Sequence, residues 1–192
     1  MTALPATPGR LLTIADYAAL GEDDGYRWEL QEGNLVMSPS PSPRHMLASG
    51  ELRDQLTSQL PRRLRVIQDV DIDLRLAASD QPGWSRRPDL VVVEQVAVDR
   101  VETEGGLLYA SEVHLIIEIV SPGSRRMDYV TKRGEYADAG IGHYWAIDLD
   151  RPVSLLAHHL GGDLGYADEG ERTGVYTTAE PYPLTIMLDR LA

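Results

Sequence analysis

The chain has 192 residues, 43% of them apolar and 25% charged, a globular composition of a size that suits one domain over 1–192. It contains no cysteine, which excludes disulfides and thiolate metal sites. The net charge of −12 argues against non-specific nucleic-acid binding, and no apolar run approaches the roughly 20 residues that span a bilayer, so a cytoplasmic protein with no membrane partner is expected.

In chain order, residues 1–12 lack a basic-then-apolar leader pattern and are expected to form a flexible arm. Thr13 and Asp16 resemble a capping box and open a short helix in "LTIADYAAL". "YRWELQEGNLVMSP" reads as two short strands around a Glu32-Gly33-Asn34 turn, followed by a Pro/Ser loop. In "HMLASGELRDQLTSQL" the positions Met46, Leu47, Leu52, Leu56 and Leu60 fall roughly on one helical face. "RVIQDVDIDLRL" alternates Val70, Ile72, Leu74 and Leu76 with polar residues, the period of one half-buried strand. "DLVVVE" and "HLIIEIV" are continuous apolar runs, as in central strands covered on both faces. "SPGSRRMDYVTKRGEYADAG" predicts a helix that stops at Gly140, "HYWAIDLD" a further buried strand, and the remainder short strands with Gly-containing turns. The fold class is α/β, a mixed sheet with helices before and within the central strands.

Glu118 sits inside the apolar run "HLIIEIV". A buried carboxylate is costly unless a cation compensates it or the strand ends there. Asp89 follows Pro88 at the start of "DLVVVE". If the two strands are neighbours, both acids converge, and such hard oxygen donors suit Mg²⁺ or Mn²⁺. Taken singly, Asp89 reads equally as a turn residue and Glu118 as a strand-end ion pair.

"RPDLVVVE" followed by "EIV" resembles the PD-(D/E)XK nucleases, with Val120 standing where that motif has Lys. With "RWELQEGNLVMSPSPSPRH", "EIVSPGSRRMDYVTKRGEYADAG" and "HYWAIDLD" in the same order, the chain resembles the Uma-two family of restriction endonucleases from about Arg27 to Asp148. The resemblance implies a restriction-endonuclease-like core with extra N- and C-terminal strands. It also implies a Mg²⁺-dependent endonuclease acting on DNA, with Mn²⁺ as substitute, that works as a homodimer or higher homo-oligomer. Asp89, Glu118 and the Ile119 backbone carbonyl would hold the metal. Lys132, in the helix after the Glu strand, would replace the missing lysine as the third catalytic residue. The helical spacing puts Tyr129, Lys132, Arg133 and Tyr136 on one face. The alternative is a solvated Lys132 paired with Asp128. Against it, 17 of the 18 basic residues are Arg, so Lys is kept at one position alone. Glu29 matches an acidic family position and is either an outer metal ligand or an exposed strand residue. His45 would contact phosphate or cap the next helix. Arg125, Arg126, Tyr129 and Arg133 are further substrate-binding candidates, and Asp148 has a structural role. His158 and His159 are adjacent and so point to opposite faces of a strand, poor geometry for one metal. Two other readings stay open: a catalytically silent nuclease-fold module that binds DNA or regulates, and a metal-dependent hydrolase of a small phosphorylated substrate.

Overall fold

The structure, a computed structural model, describes residues 10–21, 27–38, 40–162 and 165–191. Helix α1 (Ile14–Ala18) opens on the expected capping box, in which the Thr13 hydroxyl accepts the Asp16 N–H and the Asp16 carboxylate accepts the Thr13 N–H. The hairpin β1 (Arg27–Gln31) and β2 (Asn34–Ser38) follows, then α2 (Pro43–Gln59), which starts behind the N-cap Ser42 with Pro43 in its first turn. Next come β3 (Leu64–Gln68), β4 (Ile72–Asp73), β5 (Ser85–Arg86) and β6 (Leu90–Glu94). Helix α3 (Gln95–Glu104), β7 (Leu108–Tyr109) and β8 (Val113–Val120) come after them. A π-helical turn, Met127–Lys132, runs into α4 (Arg133–Asp138), and β9 (His143–Asp148), β10 (Ser154–Leu160), β11 (Tyr166–Thr173), β12 (Val175–Thr178) and β13 (Leu184–Met187) complete the chain.

The central sheet has the order β11-β10-β9-β8-β6-β3, with β8 and β9 parallel and its other neighbours antiparallel. A second sheet has the order β2-β1-β5-β4-β7. The sequence pattern of continuous apolar runs is explained by coverage on both faces of the central sheet. Leu90, Val92, Leu115, Ile117 and Ile119 pack into one cluster with Leu52 and Leu56 of α2. Val91, Val93, Ile116 and Val120 pack into another with Tyr136 of α4. Each fully buried aliphatic side chain contributes about 1.5–3 kcal/mol.

Three expectations need correction. "RVIQDVDIDLRL" is not one strand. Asp69 and Arg75 take φ of 58° and 52°, a left-handed backbone that breaks a ladder, so β3 joins the central sheet and β4 the second. On α2 the buried face is Ala48, Leu52 and Leu56, while Leu47 is 77% exposed and Met46 also faces outward. Of the expected arm, residues 1–9 lie outside the described residues, but Leu12 is only 4% exposed. Its N–H donates to the Gly33 carbonyl, and its own carbonyl accepts the Gly83 N–H.

Gly33 is therefore fixed twice. Its φ is 73°, and a Cβ there would stand 2.7 Å from Leu11 Cβ, 2.9 Å from Pro82 Cβ and 3.0 Å from the Leu12 nitrogen. Gly140, which ends α4 with φ 75°, has open space around it. Gly33→Ala is expected to cost roughly 2–4 kcal/mol in urea unfolding and Gly140→Ala about 1 kcal/mol. Equal costs at the two positions would show that backbone conformation alone, and not crowding, fixes Gly33.

Candidate active site

The register of β6 against β8 builds the site. Leu90 pairs with Ile117, so Asp89, one residue before β6, comes opposite Glu118. Side chains alternate along a strand, and Glu118 shares a face with Ile116 and Val120, the face covered by α4. Asp89 reaches across the strand ends: its Oδ2 accepts the Ile119 N–H at 2.7 Å and faces His45 Nε2 at 3.1 Å.

The helix after β8 brings the cation. Lys132 Nζ lies 2.9 Å from Glu118 Oε1, 3.1 Å from Glu29 Oε1 and 4.0 Å from Asp128 Oδ1. Lys132 is 6% exposed, so it is no surface lysine. Tyr136 donates its hydroxyl to the same Glu118 oxygen at 2.7 Å. The inward line is thus Asp128, Lys132 and Tyr136, all buried, rather than Tyr129, Lys132, Arg133 and Tyr136. These three residues stand four apart, a spacing that shares one helical face, and the chain passes from the π segment into α4 between Lys132 and Tyr136.

Glu29 is not the exposed strand residue of one sequence reading. It is buried, and cations or N–H groups engage both its oxygens: Oε1 meets Lys132 and the Arg87 N–H at 3.2 Å, Oε2 meets Arg86 Nη1 at 2.9 Å. It holds Lys132 at 3.1 Å. Arg86, 0% exposed, also grips Glu135 bidentately at 2.6 and 2.7 Å. His45 caps nothing with its side chain. Ser42 accepts its N–H, and its ring is turned to Asp89. Arg125 is committed to Asp148 and Asp150 at 2.7 and 2.6 Å, Arg133 to the Tyr166 carbonyl and Asp168, Tyr129 is half-buried and Arg126 exposed. The structure therefore gathers Glu29, His45, Asp89, Glu118 and Lys132 and leaves the other four substrate-binding candidates outside the cluster. Of the adjacent histidines, His158 is buried on Tyr144 and His159 faces outward. Sequence reasoning missed Asp128, Arg86 and Glu135. Asp128 had a legible signal, its i−4 spacing from the single lysine, but that spacing read as a surface pair.

Burial lifts the Glu118 carboxyl to about 8; Lys132 opposes the shift, and Asp89, Asp128 and Glu29 add to it. Burial works against charge on Lys132, yet Glu118, Glu29 and Asp128 outweigh it and raise its pKa, so the ammonium stays charged. Burial also opposes charge on Glu29, but Lys132 and Arg86 hold its pKa below the usual range. The cluster carries more negative charge than Lys132 neutralises. A hard divalent cation fits that surplus and the oxygen donors. Among the described residues no group of three or more His, Cys, Asp or Glu is arranged to hold a metal, but Mg²⁺ needs only one or two protein carboxylates.

A family model, Uma2, described as "Putative restriction endonuclease", matches residues 14–178. The chain belongs to the Uma2 family. A crystal structure described as "a putative nuclease belonging to DUF820 from Anabaena variabilis" has the same fold, with TM-score 0.67 and 18% identity over 94% of this chain and 97% of that one. No curated protein matches the chain. The restriction-endonuclease-like α/β core expected of a Uma2 protein is what the chain has. No helix among the described residues is long and apolar enough to cross a membrane. A cavity of about 710 Å³, lined by Tyr17, Trp28, Asp71, Arg87 and Leu107 among others, includes none of Glu29, Asp89, Glu118 or Lys132.

Because Glu118 binds a proton in the folded chain between its ordinary value near 4.5 and about 8, and the unfolded chain does not, its contribution to stability falls as pH rises through that window. His143 and His158, whose pKa values burial lowers, give the opposite slope. In chelator, denaturant unfolding of wild type and Glu118→Gln from pH 5.5 to 8 should separate these. The wild type should lose stability relative to the variant as pH rises. Parallel curves would mean that Glu118 is ionised throughout.

Proposed function

We propose that the chain is a Mg²⁺-dependent endonuclease that hydrolyses DNA phosphodiester bonds. The observation that carries this reading is the meeting of Lys132 with Glu118 at 2.9 Å from 14 positions away, beside Asp89 on the same strand-end edge. It supplies the acid, acid and lysine of the PD-(D/E)XK pattern although position 120 is Val.

Asp89, Glu118 and the Ile119 carbonyl hold the cation in this reading. The N–H and C=O of one strand residue point to the same edge, and the Ile119 N–H already points to Asp89. The cation supplies Lewis-acid polarisation of a phosphoryl oxygen, and Mn²⁺ substitutes for Mg²⁺. His45 and the Ile119 N–H both bond Asp89 Oδ2, which orients that carboxylate. Lys132, charged and surrounded by carboxylates, acts as a hydrogen-bond donor rather than a base. It orients the attacking water and stabilises the charge that grows on the phosphate oxygens. Cleavage of both strands of a duplex needs two such sites, so a homodimer belongs to the proposal.

Mg²⁺-dependent nicking of supercoiled plasmid tests the reading. Asp89→Asn should abolish it, and Lys132→Met should lower the rate about 10²–10³-fold while metal binding persists. Lys132→Arg should lose a large part of the rate, because a planar fork cannot reproduce single-point donation. Nicking that survives both EDTA and Asp89→Asn would reject the proposal.

A further inference from the structure

The ammonium of Lys132 lies between carboxylates from different sheets: Glu118 on β8 of the central sheet and Glu29 on β1 of the second sheet. Lys132 and Tyr136 both engage Oε1 of Glu118, and a divalent cation on this carboxylate would draw its charge away from Lys132 and repel the ammonium. Lys132 stays in place only if something else holds it. Asp128, at 4.0 Å, is more distant, and burial lifts its pKa. Glu29 is nearer and is itself fixed. Arg86 and the Arg87 N–H bind it, Arg86 is locked by Glu135, and β1 is paired to β2 and β5. We propose that Glu29 is a positioning residue: it retains Lys132 in the site when a divalent cation takes Glu118. The second sheet, which supplies both Glu29 and Arg86, is then part of the catalytic apparatus. This inference rests on the metal-dependent nuclease reading above.

Lys132 is the sole lysine, so [¹⁵N]lysine labelling yields one side-chain signal. An ammonium gives an observable NH₃⁺ resonance when hydrogen bonds and burial slow its exchange with water. In the wild type the resonance should be present without metal, then shift but persist at saturating Mg²⁺. In Glu29→Gln it should be present without metal, where Glu118 still holds Lys132, and vanish with Mg²⁺. If Glu29 acts through Lys132, Mg²⁺ affinity should be unchanged, and plasmid nicking should fall roughly 10- to 100-fold. A Glu29→Gln protein that keeps the resonance and the nicking rate in Mg²⁺ overturns the proposal, and the metal reading survives if the wild-type signal shifts. A wild-type resonance and a nicking assay both indifferent to Mg²⁺ overturn the metal reading and the proposal with it. Arg86 retains Glu135 in Glu29→Gln, which favours folding. If that variant does not fold, Glu29→Asp keeps the charge facing Arg86 and shortens the reach. It should lose the resonance in Mg²⁺ in the same way, and its retention overturns the proposal.

Discussion

One buried ammonium ties the molecule together. Lys132 is held at 2.9 Å by a carboxylate of the central sheet and at 3.1 Å by a carboxylate of the second sheet. Buried charges are tolerated only when each has its partners, because removing one leaves another desolvated and unpaired. The network therefore extends until it closes: Glu29 needs Arg86, Arg86 needs Glu135, and Glu135 returns to α4, the helix that follows Lys132. Three segments distant in sequence are thereby fixed in mutual position around Glu118. Apolar packing sets each sheet, but apolar contacts are non-directional. The charges set where the second sheet sits against the strand end.

The same logic makes strand register a functional quantity. Glu118 occupies a place between Ile116 and Val120 that would otherwise be core. A one-residue slip of β8 against β6 would turn Glu118 toward the apolar Leu52–Leu56 cluster and away from Lys132. The aliphatic runs on either side oppose that slip only weakly, since both faces of these strands are apolar. The bond from the Ile119 N–H to Asp89 and the bond from Lys132 to Glu118 reject it. The charged side chains of the cluster thus help to specify the register that brings them together.

Much of this was legible in the sequence, for identifiable reasons. Strands β6, β8 and β9 are long apolar runs, and full burial on both faces leaves no other reading of them. Asp89 and Glu118 stood out because charge inside or beside such runs demands compensation. Lys132 stood out because a chain that uses Arg elsewhere keeps Lys there. What stayed hidden depends on tertiary choices with weak local signals. The split of β3 from β4 rests on one left-handed aspartate, Asp69, in a stretch whose alternation is otherwise that of a single strand. The exposure of Met46 and Leu47 depends on where the α2 face ends. Helix α3 carries one buried residue, Ala97, too little for its own periodicity to announce it. Nothing local in "MDYVTK" distinguishes the π turn from an α-helix, and the i,i+4 spacing of Asp128 and Lys132 does not say whether that shared face is buried.

The two cations of the network also differ in kind, and the geometry accounts for it. Arg86 offers a planar fork: two of its nitrogens take the two oxygens of Glu135, and the third reaches Glu29. Its acceptors can lie in one plane because they approach from the sides of a fully buried guanidinium. Lys132 faces carboxylates on three different elements, Glu118 on β8, Glu29 on β1 and Asp128 on its own helix. Three rotatable donors on one nitrogen can serve acceptors that do not share a plane, and a guanidinium cannot. A compact ammonium can also turn one donor to a new oxygen without moving its stem. Among buried cations, that freedom belongs to the one beside the strand-end carboxylates, while the rigid fork is placed behind it as support.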